Sequence, residues 1–482
     1  MPETNLWKHA HHRRCSKSNS SAELQIVGLN SATHTLFARV VVPSQQQQQQ
    51  QLPCEPLTVE QVLELILNEV LLTQRQNQPQ EKELLPLDAR DLLGLGSVWK
   101  LAPKSHLESG KLQKTRLYSK NTSDLMDPEV ETTLRVHFRP NRFPIIKSLD
   151  WTWWSHKSQI TKNNETDKPL HRAVIHLDTN VGYVVVHKPN GLPSHATVDN
   201  GIENILYQLE RHHAGLFSTY KPNLPQRLDV ETDGLLLVSI KPEFSSYIGR
   251  LLQQKSTQAS TVKAQETTLS SPLVAAIHKR YKCLLCLDRP CRLEELIQRV
   301  QDSSENGLIK HYMDPKSAAP KTFRDEPPRD AVWWLLCALR VLRVSPIMTY
   351  VPESNHSNSK TNVRNKEGDL LVVEVDVELV TGRTHQIRGQ FAAMNLPLVG
   401  DPLYGRTASE TVAWNVRRNR GWGAASKIVE RLGLQCCFLS FSYPQWSLHP
   451  KSKRKVLVES GSTCKYQLEK TWWNDCLREI SS

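Results

Sequence analysis

The sequence predicts an α+β protein with two or three domains. Its 482 residues are too many for one domain of ordinary size, about 150 residues. Residues 183–195, 234–240 and 370–380 have the continuous or alternating apolar pattern of strands. Residues 57–72 repeat apolar side chains at helical spacing, and residues 384–395 follow a turn that can start a helix. This mixture of strands and helices favours an α+β fold.

Composition and charge narrow the functional classes. Lys and Arg number 61 against 49 Asp and Glu, which gives a net charge of +12 and a pI near 9.2. A surplus of this size favours a polyanionic partner, nucleic acid before membrane. The most apolar run, residues 331–339, is far shorter than the roughly 18 residues of a membrane span. Ten cysteines and an N-terminus without an apolar leader predict a reduced, intracellular protein that makes no membrane contact.

Low-complexity and polar segments divide the chain. We predict, in order, a tail over 1–22, an N-terminal α+β domain over 23–146 with a glutamine linker at 45–51, a linker over 147–170, a second domain over 171–460 with polar insertions at 254–271 and 354–368, and a tail over 461–482.

The densest candidate site is the segment 381–395. Gly382 provides a turn, and Thr384 is expected to cap the helix that follows. Arg388 then projects from the start of the helix, where its guanidinium can grip a carboxylate through two hydrogen bonds. The alternative interpretations are a phosphate-binding turn and a well-capped helix without further function.

A second candidate is Asp229, which precedes a run that must be buried, residues 235–238. A carboxylate at the mouth of a buried strand is costly to desolvate unless it is paired. Arg227 and Arg388 are the available cations. The alternative is a turn aspartate that accepts hydrogen bonds from nearby backbone groups.

The third candidate is Tyr281 on a predicted strand over residues 279–287. Tyr281 and Cys283 share one face of this strand, and Lys282 lies on the other. Tyr281 can stack on a nucleobase, although a tyrosine of the core is the more common case. Cys283 and Cys286 point to opposite faces and no second ligand pair follows, so we expect neither a metal nor another cofactor.

Four segments in order resemble the RluA-type family of RNA pseudouridine synthases. They are residues 187–195, the Arg-Leu-Asp segment 226–237, the Lys-x-Tyr strand 279–285, and residues 379–405, where the match is nearly residue for residue. The resemblance covers roughly 170–445. Segments 94–101 and 134–144 are similar, more weakly, to the S4-like RNA-binding module that often precedes this fold. The resemblance implies a mixed, largely antiparallel sheet split by a cleft, and an arrangement like that of a plant-chloroplast subgroup.

The resemblance also implies roles for individual residues. Asp229 matches the catalytic aspartate, Tyr281 the tyrosine that stacks against the target base, and Arg388 the arginine that pairs with the aspartate. The predicted RNA-binding residues are Arg227, Lys188, Arg383, His385 and Gln386. The implied activity is isomerisation of specific uridines in rRNA or tRNA to pseudouridine, by a monomer that needs no cofactor.

Several positions depart from the family pattern. Gln226 replaces the usual His, Asp233 the usual Ser, and Gly389-Gln390 the usual Val-His, while Gln435 and Tyr443 stand where histidines are common. These departures leave two alternatives open: an inactive RNA-binding or RNA-chaperone protein on the same fold, and an organelle ribosome-assembly factor in which modification is incidental.

A basic segment follows the last motif. Residues 406–455 hold ten Lys and Arg against two Glu, with Trp414, Trp422 and Trp446 between them. Such a segment can follow phosphates and stack on bases, or it can be a solubilising face. Its 451–455 cluster also has the composition of a nuclear signal. Chloroplast, mitochondrion, cytoplasm and nucleus all remain possible locations.

Overall fold

The structure is a computed structural model in which the chain forms two compact units. The first unit lies within residues 1–144 and 195–207, and the second within 145–194 and 208–482. The structure describes residues 23–30, 34–41, 57–77, 87–103, 112–126, 132–151, 171–217, 220–261, 277–287, 293–302, 307–330, 333–351, 370–405, 431–449 and 454–479. Residues 195–207 therefore belong to the first unit, although the sequence places them inside the second domain.

The first unit is an antiparallel sheet covered by two helices. Its elements are β1 (Glu23–Asn30), β2 (Thr35–Val41), α1 (Val59–Asn77), α2 (Ala89–Leu95), β3 (Val98–Pro103), β4 (Leu112–Leu117), a 3-10 turn (Ser119–Asn121) and β5 (Thr132–His137), with strand order β1-β2-β5-β3-β4. Helix α1 begins with a capping box: Thr58 N donates to Gln61 Oε1 at 2.8 Å, and Gln61 N donates to Thr58 Oγ1 at 3.3 Å. Buried side chains of both helices and the sheet, such as Leu63, Leu92 and Leu134, form one core.

The segment 195–207 is held in the first unit by two carboxylates. Asp199 Oδ2 accepts hydrogen bonds from the backbone and side-chain amides of Asn141. Glu203 pairs with Arg142 at 2.9 Å and accepts a hydrogen bond from Phe143 N. Hydrogen bonds from these donors offset the cost of burying both acids.

The second unit is built on one large sheet. Its elements are β6 (Leu149–Asp150), β7 (His171–Arg172), β8 (Val174–Asp178), β9 (Tyr183–Lys188), α3 (Ile205–His212, which starts in the first unit), a 3-10 turn (Ala214–Phe217), β10 (Asp233–Ser239), α4 (Pro242–Thr261), β11 (Ile277–Cys286), α5 (Leu293–Gln301), β12 (Leu308–Met313), β13 (Phe323–Arg324), β14 (Leu335–Tyr350), β15 (Leu370–Leu379), α6 (Gln386–Ala393), β16 (Leu434–Leu448), β17 (Lys455–Gln467), a 3-10 turn (Asn474–Cys476) and β18 (Leu477–Glu479).

Strand order in this sheet is β13-β12-β14-β15-β11-β16-β10-β9-β8, with β17 beside β16 and β18 beside β14. All described pairs in it are antiparallel except β10 with β16, which pair in parallel through Asp233 with Gln435 and Gly234 with Cys436. The α+β, largely antiparallel sheet expected from the sequence is confirmed. Because the parallel contact spans two residue pairs only, the start of β10 is the junction between two halves of the sheet.

Three sequence expectations need correction. Residues 461–479 are not a tail: β17 pairs with β16, and Trp473 is buried in a core cluster. Helix α4 runs to Thr261, so the first part of the predicted insertion 254–271 is helical. Helix α6 begins at Gln386 with His385 as its N-cap, so Thr384 is not the cap.

Other expectations fall on residues outside the described part. These are the tail 1–22, the glutamine tract 45–51, the insertion 354–368, and residues 406–430 with Trp414 and Trp422. Within the described part, no helix is long and apolar enough to cross a membrane, and no group of three or more His, Cys, Asp and Glu side chains could hold a metal ion.

Replacing Gly234 by Ala is expected to destabilise the second unit by more than about 2 kcal/mol. Gly234 has a φ of 122°, and a Cβ there would overlap the backbone of Cys436 in the parallel strand. Thermal unfolding measures the effect. The control is Gly249→Ala, on the exposed side of α4 with open space around it, which should stabilise by up to about 1 kcal/mol. Equal melting temperatures for the two variants would contradict the packing described at Gly234.

Candidate active site

Asp229 lies in the loop that leads into β10, at the junction of the two halves of the sheet. Its side chain is 29% exposed, so a ligand can reach the carboxylate. Oδ2 lies 3.4 Å from Nη1 of Arg388 and 3.9 Å from Nε2 of His385. The structure therefore brings together the acid and the cation that the two motifs predict as partners.

Arg388 is buried on helix α6 and is held mainly by Asp401. Its Nε donates to Asp401 Oδ2 and its Nη2 to Asp401 Oδ1, both at 2.8 Å. The remaining Nη1 faces Asp229 and Glu231, the latter at 3.6 Å. Burial alone would lower the pKa of Arg388, but the hydrogen bonds and charge of Asp401, with Glu231 and Asp229, raise it. The guanidinium is therefore a fixed positive charge beside Asp229.

Asp401 is a site residue that the sequence analysis does not single out. Besides binding Arg388, its Oδ1 accepts hydrogen bonds from the backbone N–H groups of Leu403 and Tyr404, at 2.9 and 3.0 Å. The available signal is its position in the turn 400–405, the last part of the fourth motif. A buried carboxylate that holds two nitrogens of the guanidinium fixes the arginine in one orientation.

Tyr281 lies on β11, where its neighbours across the sheet are Cys436 on β16 and Val377 on β15. Tyr281 and Cys283 share the buried face of the strand, as the alternation predicts. Burial is the main cause that raises the pKa of Tyr281 well above its usual value, followed by Cys436 and then Asp229. The phenol therefore stays neutral and lies within the electrostatic reach of Asp229.

His385 and Tyr404 form a second contact beside Asp229. His385 has a φ of 55°, a left-handed conformation that turns the chain into α6. Its Nδ1 lies 3.3 Å from the Tyr404 hydroxyl, which accepts a hydrogen bond from Lys321 N at 2.7 Å. Burial, the main cause, lowers the pKa of His385. A neutral imidazole therefore faces the carboxylate.

Two of the predicted RNA-binding residues are buried, and their side chains donate hydrogen bonds to backbone carbonyls. Lys188 is 0% exposed, and its Nζ donates to the carbonyls of Pro189, Leu192 and Val230 at 2.8–2.9 Å. Gln386 is 3% exposed and bonds to Thr381 Oγ1 and the Ala338 carbonyl. Neither side chain is exposed for the RNA contact that the sequence predicts. Lys188 instead fixes Val230, the residue next to Asp229.

The other three predicted RNA contacts are accessible. Arg227 and Arg383 are exposed and His385 is half-buried. The contact of the first two with RNA stays a prediction, whereas His385 faces the carboxylate of Asp229.

Two departures from the family pattern compensate for each other. Asp233, in place of Ser, accepts hydrogen bonds from Gln435 Nε2 at 2.7 Å and from His187 Nε2 at 2.8 Å. Burial by itself would raise the pKa of Asp233, but His187, Gln435 and Lys188 lower it. Gln435, in place of His, is thus the amide donor that a buried carboxylate at 233 requires. The pair joins β10 to β16 without disturbing Asp229.

Comparison with known proteins agrees with this geometry. The RNA pseudouridylate synthase family matches residues 182–393. This segment of the chain is therefore similar to that family. The resemblance seen in the sequence is therefore confirmed, and Asp229, Tyr281 and Arg388 all lie inside the matched segment.

Curated relatives match a longer stretch. "RNA pseudouridine synthase 6, chloroplastic" of Arabidopsis thaliana is 26% identical over 284 residues, 57% of this chain and 45% of the relative. "Ribosomal large subunit pseudouridine synthase D" of Neisseria meningitidis is 24% identical over 281 residues, 58% and 56% of the two chains. The chain spans about half the length of these relatives. The human structure "RNA Pseudouridylate Synthase Domain Containing 4" aligns with a TM-score of 0.33 and 14% identity over 56% of this chain and 84% of that chain.

Replacing Asp401 by Asn is expected to destabilise the second unit by about 3 kcal/mol, because it removes a buried charge from a buried guanidinium. Urea unfolding measures the loss. Glu295→Gln is the control, since Glu295 pairs with Arg299 one helical turn away on half-exposed α5 and should contribute about 0.5 kcal/mol at most. A loss at Asp401 no larger than at Glu295 would show that Arg388 does not depend on this pair.

Lys188 is expected to make stability rise with pH between about 8 and 10.5. Burial lowers its pKa from 10.5 to about 8, so in this window the unfolded chain holds more protons at this side chain than the folded chain. Lys188→Met should remove a rise of up to about 3 kcal/mol, measured by urea unfolding at pH 7, 8, 9 and 10. Lys310→Met, at an exposed position on β12, controls for the loss of a lysine. Parallel pH curves for wild type and Lys188→Met would refute the assignment.

Proposed function

We propose that the second unit isomerises uridine in RNA to pseudouridine, with Asp229 as the catalytic carboxylate. The observation that carries the proposal is the 3.4 Å contact between Asp229 and Arg388, whose guanidinium is locked by Asp401. These groups lie inside or close to the segment that is similar to the RNA pseudouridylate synthase family. Asp229 is exposed enough to meet a ligand, and the Arg388 guanidinium beside it is a permanent cation.

The reaction fits this set of groups without an external reactant. The N1–C1′ bond of uridine breaks, the base rotates, a C5–C1′ bond forms, C5 loses its proton and N1 gains one. An ionised Asp229 serves either as the nucleophile at C1′ or as the base at C2′. In both cases Arg388 is the cation that orients the carboxylate.

Tyr281 supports the base once it has left the RNA stack. Its ring is apolar and its phenol neutral, but the residue is only 5% exposed on the buried face of β11, so stacking requires the ring to be uncovered when the base enters the site. Removing a base from its stack costs a few kcal/mol, which contacts in the pocket offset. The exposed Arg227 and Arg383 are proposed to bind the flanking phosphates.

For the finer assignment we propose large-subunit rRNA as the substrate, an S4-like RNA-binding role for the first unit, a monomeric enzyme and a chloroplast location. The names of the Neisseria and Arabidopsis relatives support the substrate class and the location. The departures at Gln226 and Asp233 leave Asp229, Tyr281 and Arg388 in place. They therefore add no support to the alternative of an inactive RNA-binding protein.

Replacing Asp229 by Asn is expected to lower pseudouridine formation by at least about 10³-fold, since an amide can neither attack C1′ nor take a proton. Single-turnover release of tritium from RNA that carries 5-tritiated uridine measures the rate. Glu243→Gln, an exposed carboxylate in the first turn of α4, is the matched control and should retain full activity. Binding of the Asn variant to the same RNA should stay within about threefold.

Conversion of uridine by the Asn variant at the wild-type rate would remove Asp229 from its proposed role. Mapping of pseudouridine across cellular RNA, with and without the gene, identifies the substrate. Rescue of a deletion by wild type but not by Asp229→Asn separates modification from a role in ribosome assembly that needs no catalysis.

A further inference from the structure

The hairpin formed by β12 and β13 packs directly on the helix that carries Arg388. The ring of Phe323, on β13, occupies the space that a side chain at Gly389 would fill. A Cβ at position 389 would overlap this ring, so glycine on α6 and phenylalanine on the hairpin fit each other as a pair. Gly389 is one of the positions that depart from the family pattern, where Val is usual.

The same hairpin also reaches Tyr404, next to Asp401. Lys321 N donates to the Tyr404 hydroxyl at 2.7 Å, and the Phe323 and Tyr404 rings meet edge to face at 6.5 Å. The ring of Tyr404 lies below the guanidinium of Arg388, 5.5 Å away, and edge to face with His385 at 5.8 Å. Tyr404 is therefore a single side chain that touches the hairpin, the catalytic arginine and the neighbouring histidine.

The hydrogen bonds at Tyr404 orient the imidazole. Because the Tyr404 oxygen accepts the Lys321 N–H, its own hydrogen is available to His385 Nδ1, 3.3 Å away. With Nδ1 accepting, a neutral His385 carries its hydrogen on Nε2, the atom that faces Asp229. The hairpin thus sets the orientation of the group that lies beside the carboxylate.

The side of α6 opposite Arg388 is held by hydrogen bonds among buried polar side chains. Gln386 Nε2 donates to Gln390 Oε1 at 2.9 Å, and Gln390 Nε2 lies 3.2 Å from both His311 Nδ1 on β12 and the Cys337 carbonyl on β14. Gln390, the other departure at this site, is 0% exposed. A buried network of this kind holds a helix in one register.

We propose that the β12–β13 hairpin is a positioning element of the active site, and that Phe323 and Tyr404 are positioning residues that hold His385 and Arg388 against Asp229. This inference rests on the proposed pseudouridine synthase function. It explains the Gly389-Gln390 departure as an adaptation to the hairpin, since Gly389 admits Phe323 and Gln390 binds β12. A purely structural role for the hairpin is the competing explanation, and it predicts lost stability with unchanged chemistry below the melting temperature.

Compensating substitutions test the proposal. Phe323→Ala should lower the single-turnover rate about 10- to 100-fold, because small misplacements of catalytic groups have effects of this size, while the Kd for RNA stays within about twofold. Gly389→Val should lower the rate by displacing the ring, with Gly389→Ala as the milder variant if the valine variant does not fold. The double variant Phe323→Ala/Gly389→Val should be at least about fivefold faster than Gly389→Val, because the valine fills the vacated space. Glu326→Gln, exposed beside the hairpin, should retain the wild-type rate.

A second readout does not depend on turnover. The pKa of His385, followed by NMR of ¹³C-labelled histidine and assigned with His385→Gln, should rise toward its usual value in Phe323→Ala and Tyr404→Phe. Tyr404→Phe removes the hydroxyl that donates to Nδ1 and thereby favours the neutral imidazole, and Phe323→Ala removes the ring that packs against Tyr404. The groups that face this imidazole are Asp229, Glu231, Arg388, Asp401 and Tyr404.

The outcomes separate the two hypotheses. An additive double variant with an unchanged His385 pKa would overturn the positioning role, as would variants that lose only stability. Wild-type protein that converts no uridine in any cellular RNA would instead refute the proposed function. In that case two measurements still test the hairpin contact. One is the NMR titration of His385, and the other is a comparison of the stability loss in the Phe323/Gly389 double variant with the sum of the losses in the two single variants.

Discussion

The site depends on one buried guanidinium. Arg388 is 1% exposed, and its burial is stable only because Asp401 binds two of its nitrogens with short hydrogen bonds. That pairing uses Nε and Nη2 of the guanidinium and leaves Nη1 directed at Asp229. The direction in which this guanidinium faces Asp229 is thus set by an acid thirteen residues beyond the arginine, in the turn that follows helix α6.

The sheet places Asp229 beside Nη1 of this guanidinium. Strand β10 meets β16 in parallel at two residue pairs, and Gly234 is required there because the backbone of Cys436 comes too close for a side chain. The next strand, β11, brings Tyr281 beside the same cysteine. Acid and tyrosine therefore reach one place through a local junction of three strands, β10, β16 and β11.

The motifs predict Asp229, Tyr281 and Arg388 because each belongs to a short segment whose residue types are restricted by chemistry. Asp401 and Phe323 are harder to predict, since their contacts with α6 come from other turns and strands and no spacing links them. The motifs predict RNA contacts for Lys188 and Gln386 because polar residues in a motif resemble ligand-binding residues. In the structure both side chains donate hydrogen bonds to buried backbone carbonyls. The C-terminal strand β17 was missed because its alternation is mostly polar, and burial of Trp473 depends on the distant Glu374, which accepts its indole N–H at 2.9 Å.

The distribution of charge around Arg388 bears on the proposed reaction. Around Arg388 the structure gathers three carboxylates, Asp229, Glu231 and Asp401, while the neighbouring His385 has a lowered pKa. Negative charge at the centre repels phosphates. Under the proposed function, the exposed Arg227 and Arg383 would bind the phosphates instead. The part of a nucleotide that could then approach Asp229 without electrostatic cost is the neutral one, its sugar and base, which is the part that an isomerisation at C1′ changes.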